Sequence, residues 1–74
     1  MSKLSEVQKG YVYKIVCILK SAPKRRLSEL GLVKGRCIRK IKSAPLADPV
    51  EYELLGNRLS LRDSLSANIY VERA

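Results

Sequence analysis

The sequence has 74 residues, of which 46% are hydrophobic and 30% are charged. A chain of this length builds only one compact core, because so small a domain buries about 60% of its unfolded surface. We therefore predict a single domain over residues 1–74. The net charge of +8 predicts attraction to something acidic, whether a nucleic acid, an anionic membrane surface or an acidic protein.

The two cysteines, Cys17 and Cys37, are far apart in the sequence and form no CxxC motif. The N-terminus lacks the charged region, apolar run and cleavage site of a signal peptide. The longest apolar run, residues 15–19, is far shorter than the roughly 20 residues of a membrane-spanning helix. We therefore expect a cytoplasmic protein whose thiols are reduced.

The N-terminal part of the chain predicts one helical turn followed by a strand. Residues Leu4–Gln8 have capping-box spacing, and Leu4 and Val7 would cover the core. Residues Tyr11–Leu19 alternate as a strand that places five side chains on one face: Tyr11, Tyr13, Ile15, Cys17 and Leu19. Because the other face is also fairly apolar, we expect a bulge or a strong bend in this strand.

A short helix is predicted from Pro23 to Leu30, since proline is tolerated in the first helical turn. Leu27 and Leu30 are three residues apart, so both can face one side of this helix. Gly31 would end the helix in a left-handed conformation. Gly35 marks a second position of unusual backbone geometry before the next strand.

The pattern in the second half of the chain predicts short strands joined by turns. The predicted strands are Arg36–Lys42, Val50–Leu54, Arg58–Arg62 and Asn68–Glu72. Ile38 and Ile41 are out of phase, which indicates a bulge in the first of these strands. Gly56-Asn57 is a turn signal, and residues 63–67 form one helical turn that directs Leu65 inward.

Together these elements predict a mainly β protein with one short helix. About five short strands bury their apolar faces most economically as a small, strongly bent and partly closed β-barrel. The core would be filled by aliphatic residues and tyrosines, because the sequence contains no Phe or Trp.

Catalytic and metal-binding patterns are not found in the sequence. It contains no His, and no Ser or Cys has an evident general base, so we predict that the protein is not an enzyme. Two isolated cysteines do not make a tetrahedral zinc site. Glu51 and Glu53 are two residues apart on the solvent face of one strand, where they are expected to pair with Arg or Lys across the sheet.

Three segments resemble the FeoA family, the small cytosolic accessory proteins of bacterial ferrous iron uptake. They are residues 27–35 (LSELGLVKG), 44–51 (APLADPVE) and 56–62 (GNRLSLR), which occur in the family's order and spacing. The resemblance extends from about Leu4 to Glu72 and departs from the family pattern at Ala47 and Asn57. It implies an SH3-like β-barrel, and it implies the cytosolic part of the FeoB ferrous iron permease as the partner. It also implies association with iron or another transition metal, but it provides no ligand motif, and we predict no cofactor or metal site.

Two surfaces are therefore candidates for binding the partner. The first is the basic triplet Lys24, Arg25 and Arg26, which otherwise is only a solvated helix face. The second is the loop that contains Leu46, Asp48 and Pro49, although Leu46 would alternatively fold back over the barrel. Nucleic-acid binding is the alternative function, and it rests on the net charge alone.

Overall fold

The structure, a computed structural model, describes residues 1–43 and 49–74. In chain order it contains β1 (Ser2–Lys3), a 3-10 helix (Leu4–Glu6), β2 (Val12–Ile18), α1 (Lys24–Glu29), β3 (Cys37–Ser43), β4 (Val50–Leu54), β5 (Asn57–Leu61), α2 (Asp63–Ser66) and β6 (Ile69–Arg73). The described strands form one antiparallel sheet in the order β1-β6-β2-β3-β4-β5. The five predicted strands and the predicted helix are confirmed, and each of their ends lies within one residue of the predicted position. The two-residue strand β1, which pairs with β6, was not predicted.

Side chains from both halves of the sheet pack into one hydrophobic cluster. Its members are Leu4, Val7, Ile15, Ala22, Leu27, Leu32, Ile38, Val50, Tyr52, Leu54, Leu61, Ile69 and Val71. Strands near opposite ends of the sheet, β6 and β5, both contribute to this cluster, so the sheet must curl around it. The predicted inward residues of β4 and β6 are confirmed, because each of them is at most 3% exposed.

A bulge between Ile15 and Cys17 divides β2 into two parts whose core-facing residues are out of phase with each other. Ile15 pairs with Val71 and Ile18 pairs with Ile69, so both isoleucines lie on the core side. Cys17 pairs with Tyr70, and both are only partly buried. The predicted bulge is therefore confirmed, but Cys17 does not share the face of Ile15 as the alternation predicted. The extra residue shifts the period-two pattern by one position.

A second bulge lies between Lys40 and Lys42 in β3, as the phase of the isoleucines predicted. Ile38 is buried, and Lys40 on the same face is only 8% exposed. The sequence pattern gave no sign that this lysine is internal. Its ammonium group donates to the backbone oxygens of Val7 at 2.9 Å and Ser5 at 3.3 Å, which satisfies the buried charge with carbonyl dipoles.

The β4–β5 hairpin turns at Leu55 and Gly56, which both have positive φ, at 55° and 79°. Two consecutive left-handed residues define the turn type whose twist matches that of the strands. The prediction of a Gly56-Asn57 turn was therefore displaced by one residue, since Asn57 begins β5 and pairs with Leu54.

The N-terminal turn is shorter than predicted. The 3-10 helix ends at Glu6, Val7 is already extended, and no side chain caps the helix. Leu4 and Val7 are nevertheless buried against the core, as the sequence predicted. Within residues 1–43 and 49–74, no helix is long and apolar enough to cross a membrane.

Candidate protein-binding groove

A groove of about 440 Å³ lies where the end of α1 meets the end of β5 and the start of α2. We call it the α1–β5 groove. It is lined by Arg26, Leu30, Pro49, Ser60, Leu61, Arg62, Ser64 and Leu65. A groove of this size accommodates one or two side chains of a partner protein.

The end of α1 directs Leu30 into this groove instead of into the core. Leu27 is fully buried, but Leu30 is 45% exposed at the C-cap of the helix. Gly31 follows with φ of +89°, and the Leu32 N–H then donates to the Leu27 carbonyl at 2.8 Å. This tight exit buries Leu32 beside Leu27. Of the two leucines that the spacing placed on one side of the helix, only Leu27 is therefore in the core.

The opposite wall is built by the junction of β5 and α2. Leu61 is buried at the end of β5, whereas Ser60 and Arg62 on either side of it are exposed. The Arg62 carbonyl accepts the N–H groups of Leu65 and Ser66, which begins α2 directly at the strand end. Leu65 is partly buried against the core and lines the groove, so its predicted inward position is confirmed.

The structure brings together one member of each predicted binding surface. Lys24, Arg25 and Arg26 are all exposed on α1, but only Arg26 lines the α1–β5 groove. Pro49 is exposed and lines it from the other side. Leu46 and Asp48, which were also predicted to bind the partner, lie outside the described residues.

The groove-lining residues that were not predicted are Leu30, Ser60, Leu61, Arg62, Ser64 and Leu65. Sequence spacing placed Arg62 only as the polar end of a strand. Its position near Arg26 depends on how the sheet curls, which no local pattern encodes. Leu30 had a usable signal, because a residue directly before a C-terminal glycine often lies at the helix end.

The groove is basic and partly apolar. Its described lining contains two arginines and no carboxylate. Neither arginine takes part in the two ion pairs found among the described residues, which join Arg39 to Glu53 and Arg58 to Glu51. Those two pairs confirm the predicted cross-strand partners of the glutamates. A basic surface with apolar contacts favours an acidic protein partner that also offers an apolar side chain.

The described residues give less support for metal binding or for the stacking of nucleic-acid bases. No group of three or more His, Cys, Asp or Glu side chains that could hold a metal ion occurs there. Cys17 and Cys37 are free thiols on different strands. Tyr52 is fully buried, and the exposed Tyr11 has the Arg73 guanidinium 3.8 Å from its ring centroid. No open aromatic surface for stacking nucleic-acid bases is therefore seen on these two tyrosines.

Comparison with known proteins gives a consistent result. The model of the FeoA domain family matches residues 2–73. A Fe(2+) transport protein A/Fe(2+) transporter FeoB fusion protein of Porphyromonas gingivalis is 37% identical over 71 residues, which are 95% of this chain and 8% of that protein. The chain thus spans a small fraction of the length of this curated relative.

Solved structures show the same fold. The solution structure of a FeoA-like protein from Clostridium acetobutylicum is 34% identical, with a TM-score of 0.87 over 99% of this chain and 90% of that one. A zinc complex of FeoA from Stenotrophomonas maltophilia, described as a prokaryotic SH3 domain protein, is 26% identical. Its TM-score is 0.81 over 97% of this chain and 91% of that one. The predicted SH3-like fold is confirmed.

Proposed function

Because this chain belongs to the FeoA family, we propose that it is an accessory protein of bacterial ferrous iron uptake that binds the cytosolic part of a FeoB-type permease. The observation that carries this proposal is the curated relative in which a similar chain is fused to the transporter itself. Two activities joined in one polypeptide are expected to act at one place. The proposal assigns the chain a binding role at the cytoplasmic face of the membrane, with no catalytic step.

The fusion also indicates how strong the contact needs to be. A domain tethered to its partner meets it at an effective concentration in the millimolar range. An interface of modest area is therefore sufficient in the fused protein. A free-standing chain that uses the same interface would rely on charge to increase its association rate, and the net charge of +8 supplies that attraction to an acidic surface.

We propose the α1–β5 groove as the contact surface. Arg26 and Arg62 offer guanidinium groups for bidentate pairing with carboxylates, and Leu30 offers an exposed apolar contact beside them. Interfaces are enriched in arginine and in buried apolar anchors, so this combination suits a protein partner. Arg25 and Lys24 on the same helix extend the basic surface beyond the groove.

A calorimetric titration of the chain with the isolated cytosolic part of the permease tests this proposal. At about 150 mM salt, where non-specific electrostatic binding is weakened, we expect saturable binding. We expect the charge reversal Arg26→Glu to weaken it at least about tenfold. Lys34→Glu is the matched control, because it makes the same charge change at an exposed residue outside the groove lining.

The same titration with a mixed RNA and DNA pool tests the alternative function. Saturable binding of nucleic acid at the same salt concentration, with no binding to the permease, would overturn the proposal. Equal weakening by Arg26→Glu and Lys34→Glu would show that net charge, and not this groove, determines binding.

A further inference from the structure

Strand β5 has one edge that no described strand covers. It lies at one end of the sheet order and pairs with β4 alone within residues 1–43 and 49–74. The other end of the sheet is the strand β1, which pairs with β6 and is only two residues long. A free strand edge presents backbone N–H and C=O groups to any extended chain that approaches it.

The hairpin geometry identifies which groups of β5 point outward. Leu54 and Asn57 flank a two-residue turn, so they form the closing hydrogen-bonded pair of the hairpin. Hydrogen-bonded and non-bonded pairs alternate along an antiparallel ladder. Arg58 and Ser60 therefore direct their backbone N–H and C=O groups away from β4, and the Arg62 N–H continues this outward row.

The arginine side chains along this edge favour an incoming strand that is acidic. Arg58 and Arg62 lie at either end of the outward row, and Arg58 pairs with Glu51 at 3.1 Å while remaining 70% exposed. Arg26 lies across the α1–β5 groove from the strand end. A second copy of this chain would bring its own arginines against these, and like charges in register are destabilising. An acidic strand would instead pair with them.

Apolar contacts lie beside the end of the same edge. Leu30 and Leu65 line the groove together with Ser60 and Arg62, so a strand added to β5 would place alternate side chains near them. Main-chain hydrogen bonds give such a strand affinity, and the pockets for its side chains give specificity.

We propose that the open edge of β5 binds an extended, acidic segment of a partner protein as an additional strand, with its apolar residues directed to Leu30 and Leu65. This inference rests on the proposed function in that it gives a recognition mode to the same groove. It adds the backbone edge of Arg58 and Ser60 as the main recognition element. A membrane or a nucleic acid has no strand to pair with this edge.

The test uses a substitution that removes one outward donor and leaves the β4–β5 ladder intact. Ser60→Pro deletes the Ser60 N–H, which points away from β4, and proline is tolerated at such edge positions. Ser60→Ala is the matched control, because it removes the hydroxyl and keeps the N–H. The probe is a capped peptide of about six residues, a usual strand length, with Glu and Val in alternation. A second peptide carries Lys in place of Glu.

We expect the Glu peptide to bind the wild type and the Ser60→Ala variant alike, and the Ser60→Pro variant about tenfold more weakly. The Lys peptide should not bind. In ¹⁵N-resolved spectra, the amides of Arg58 and Ser60 of the wild type should become protected from exchange when the Glu peptide is added. This readout holds even if Ser60→Pro fails to fold.

Unchanged exchange at Arg58 and Ser60, or equal binding of both peptides, would overturn the inference. A concentration-dependent dimer that Ser60→Pro abolishes would also overturn it, because a second copy would then occupy the edge. If the permease binds and Ser60→Pro has no effect on it, the strand-addition mode fails while the proposed function stands. If the Glu peptide binds as expected and the permease does not, the proposed function fails alone.

Discussion

Lys40 and Tyr52 lie opposite each other on β3 and β4, and both donate to backbone carbonyls of the N-terminal segment. The Lys40 ammonium reaches Val7 O at 2.9 Å, and the Tyr52 hydroxyl reaches Leu4 O at 3.3 Å. This cross-strand pair attaches residues 4–7 to the centre of the sheet. It explains how a lysine is accommodated inside a small core, although Lys40 takes part in neither of the ion pairs found among the described residues.

Replacing Lys40 by methionine should destabilise the protein by about 1–3 kcal/mol. Methionine fills similar space, but the carbonyls of Ser5 and Val7 lose their donor, and an unmade buried hydrogen bond costs about this much. Urea unfolding measures the change. Lys34→Met, at an exposed position, is the control and should change the free energy of unfolding by less than about 0.5 kcal/mol. Equal effects of the two variants would contradict the role of Lys40.

Burial raises the pKa of the Tyr52 hydroxyl above its ordinary value, an effect opposed by its hydrogen bond with Ser66 and reinforced by the charge of Asp63. The folded state therefore keeps this proton at pH values where the unfolded chain loses it. The resulting stability is fully present below about pH 10, the usual tyrosine pKa, and is lost progressively as the pH rises above it.

Urea unfolding between pH 8 and 11 should show this loss, with a slope of up to about 1.4 kcal/mol per pH unit from this group. Tyr52→Phe removes the titrating hydroxyl, so its stability should fall less steeply above about pH 10. Parallel curves for the wild type and Tyr52→Phe would show that Tyr52 ionises as easily in the folded protein as in the unfolded chain.

Leu55 combines a left-handed backbone with a side chain that is 64% exposed. The left-handed conformation costs a leucine about 1–2 kcal/mol, and asparagine tolerates it much better in this turn type. We therefore expect Leu55→Asn to stabilise the hairpin by about 0.5–1 kcal/mol in thermal or urea unfolding. Gly56→Ala, at a φ of 79°, should instead destabilise it. Destabilisation by Leu55→Asn would mean that the leucine contributes more packing than its exposure indicates.

Gly31 and Gly35 have similar positive φ values, 89° and 95°, but different surroundings. A methyl group on Gly31 would lie 3.2 Å from Leu54 Cδ2, whereas nothing lies within 4 Å of the corresponding position on Gly35. Both alanine variants should lose about 1–2 kcal/mol from backbone strain. Gly31→Ala should lose more, because Leu54 must also move. Unfolding free energies that rank the two variants in the opposite order would contradict this account of the α1 exit.

The strands and α1 were predictable because their patterns are local. Alternation in β4 and β6 placed Val50, Tyr52, Ile69 and Val71 correctly, since neither strand has a bulge. In β2 the bulge after Ile15 shifts the alternation by one residue, so Cys17 lies on the opposite face of the strand from Ile15. Periodicity indicated that a bulge was needed but not where it falls.

The α1–β5 groove was only half predictable for a different reason. Arg26 and Pro49 were chosen from charge and loop composition, and the structure places both in one groove. Leu30, Arg62 and Leu65 reach the same groove only because the sheet curls around its core. The burial of Lys40 could not be predicted from the sequence. Its acceptors are the backbone oxygens of Ser5 and Val7, and every residue type has such an oxygen.

The most direct test of the account is a map of the contact surface. The ¹⁵N-labelled chain would be titrated with the cytosolic part of the permease, and amide chemical-shift changes would be followed. The account predicts that the largest changes cluster around the α1–β5 groove, at Arg26, Leu30, Ser60 and Arg62. Changes centred on β2 and β6 around Cys17 and Tyr70, or none at a saturating concentration, would contradict it.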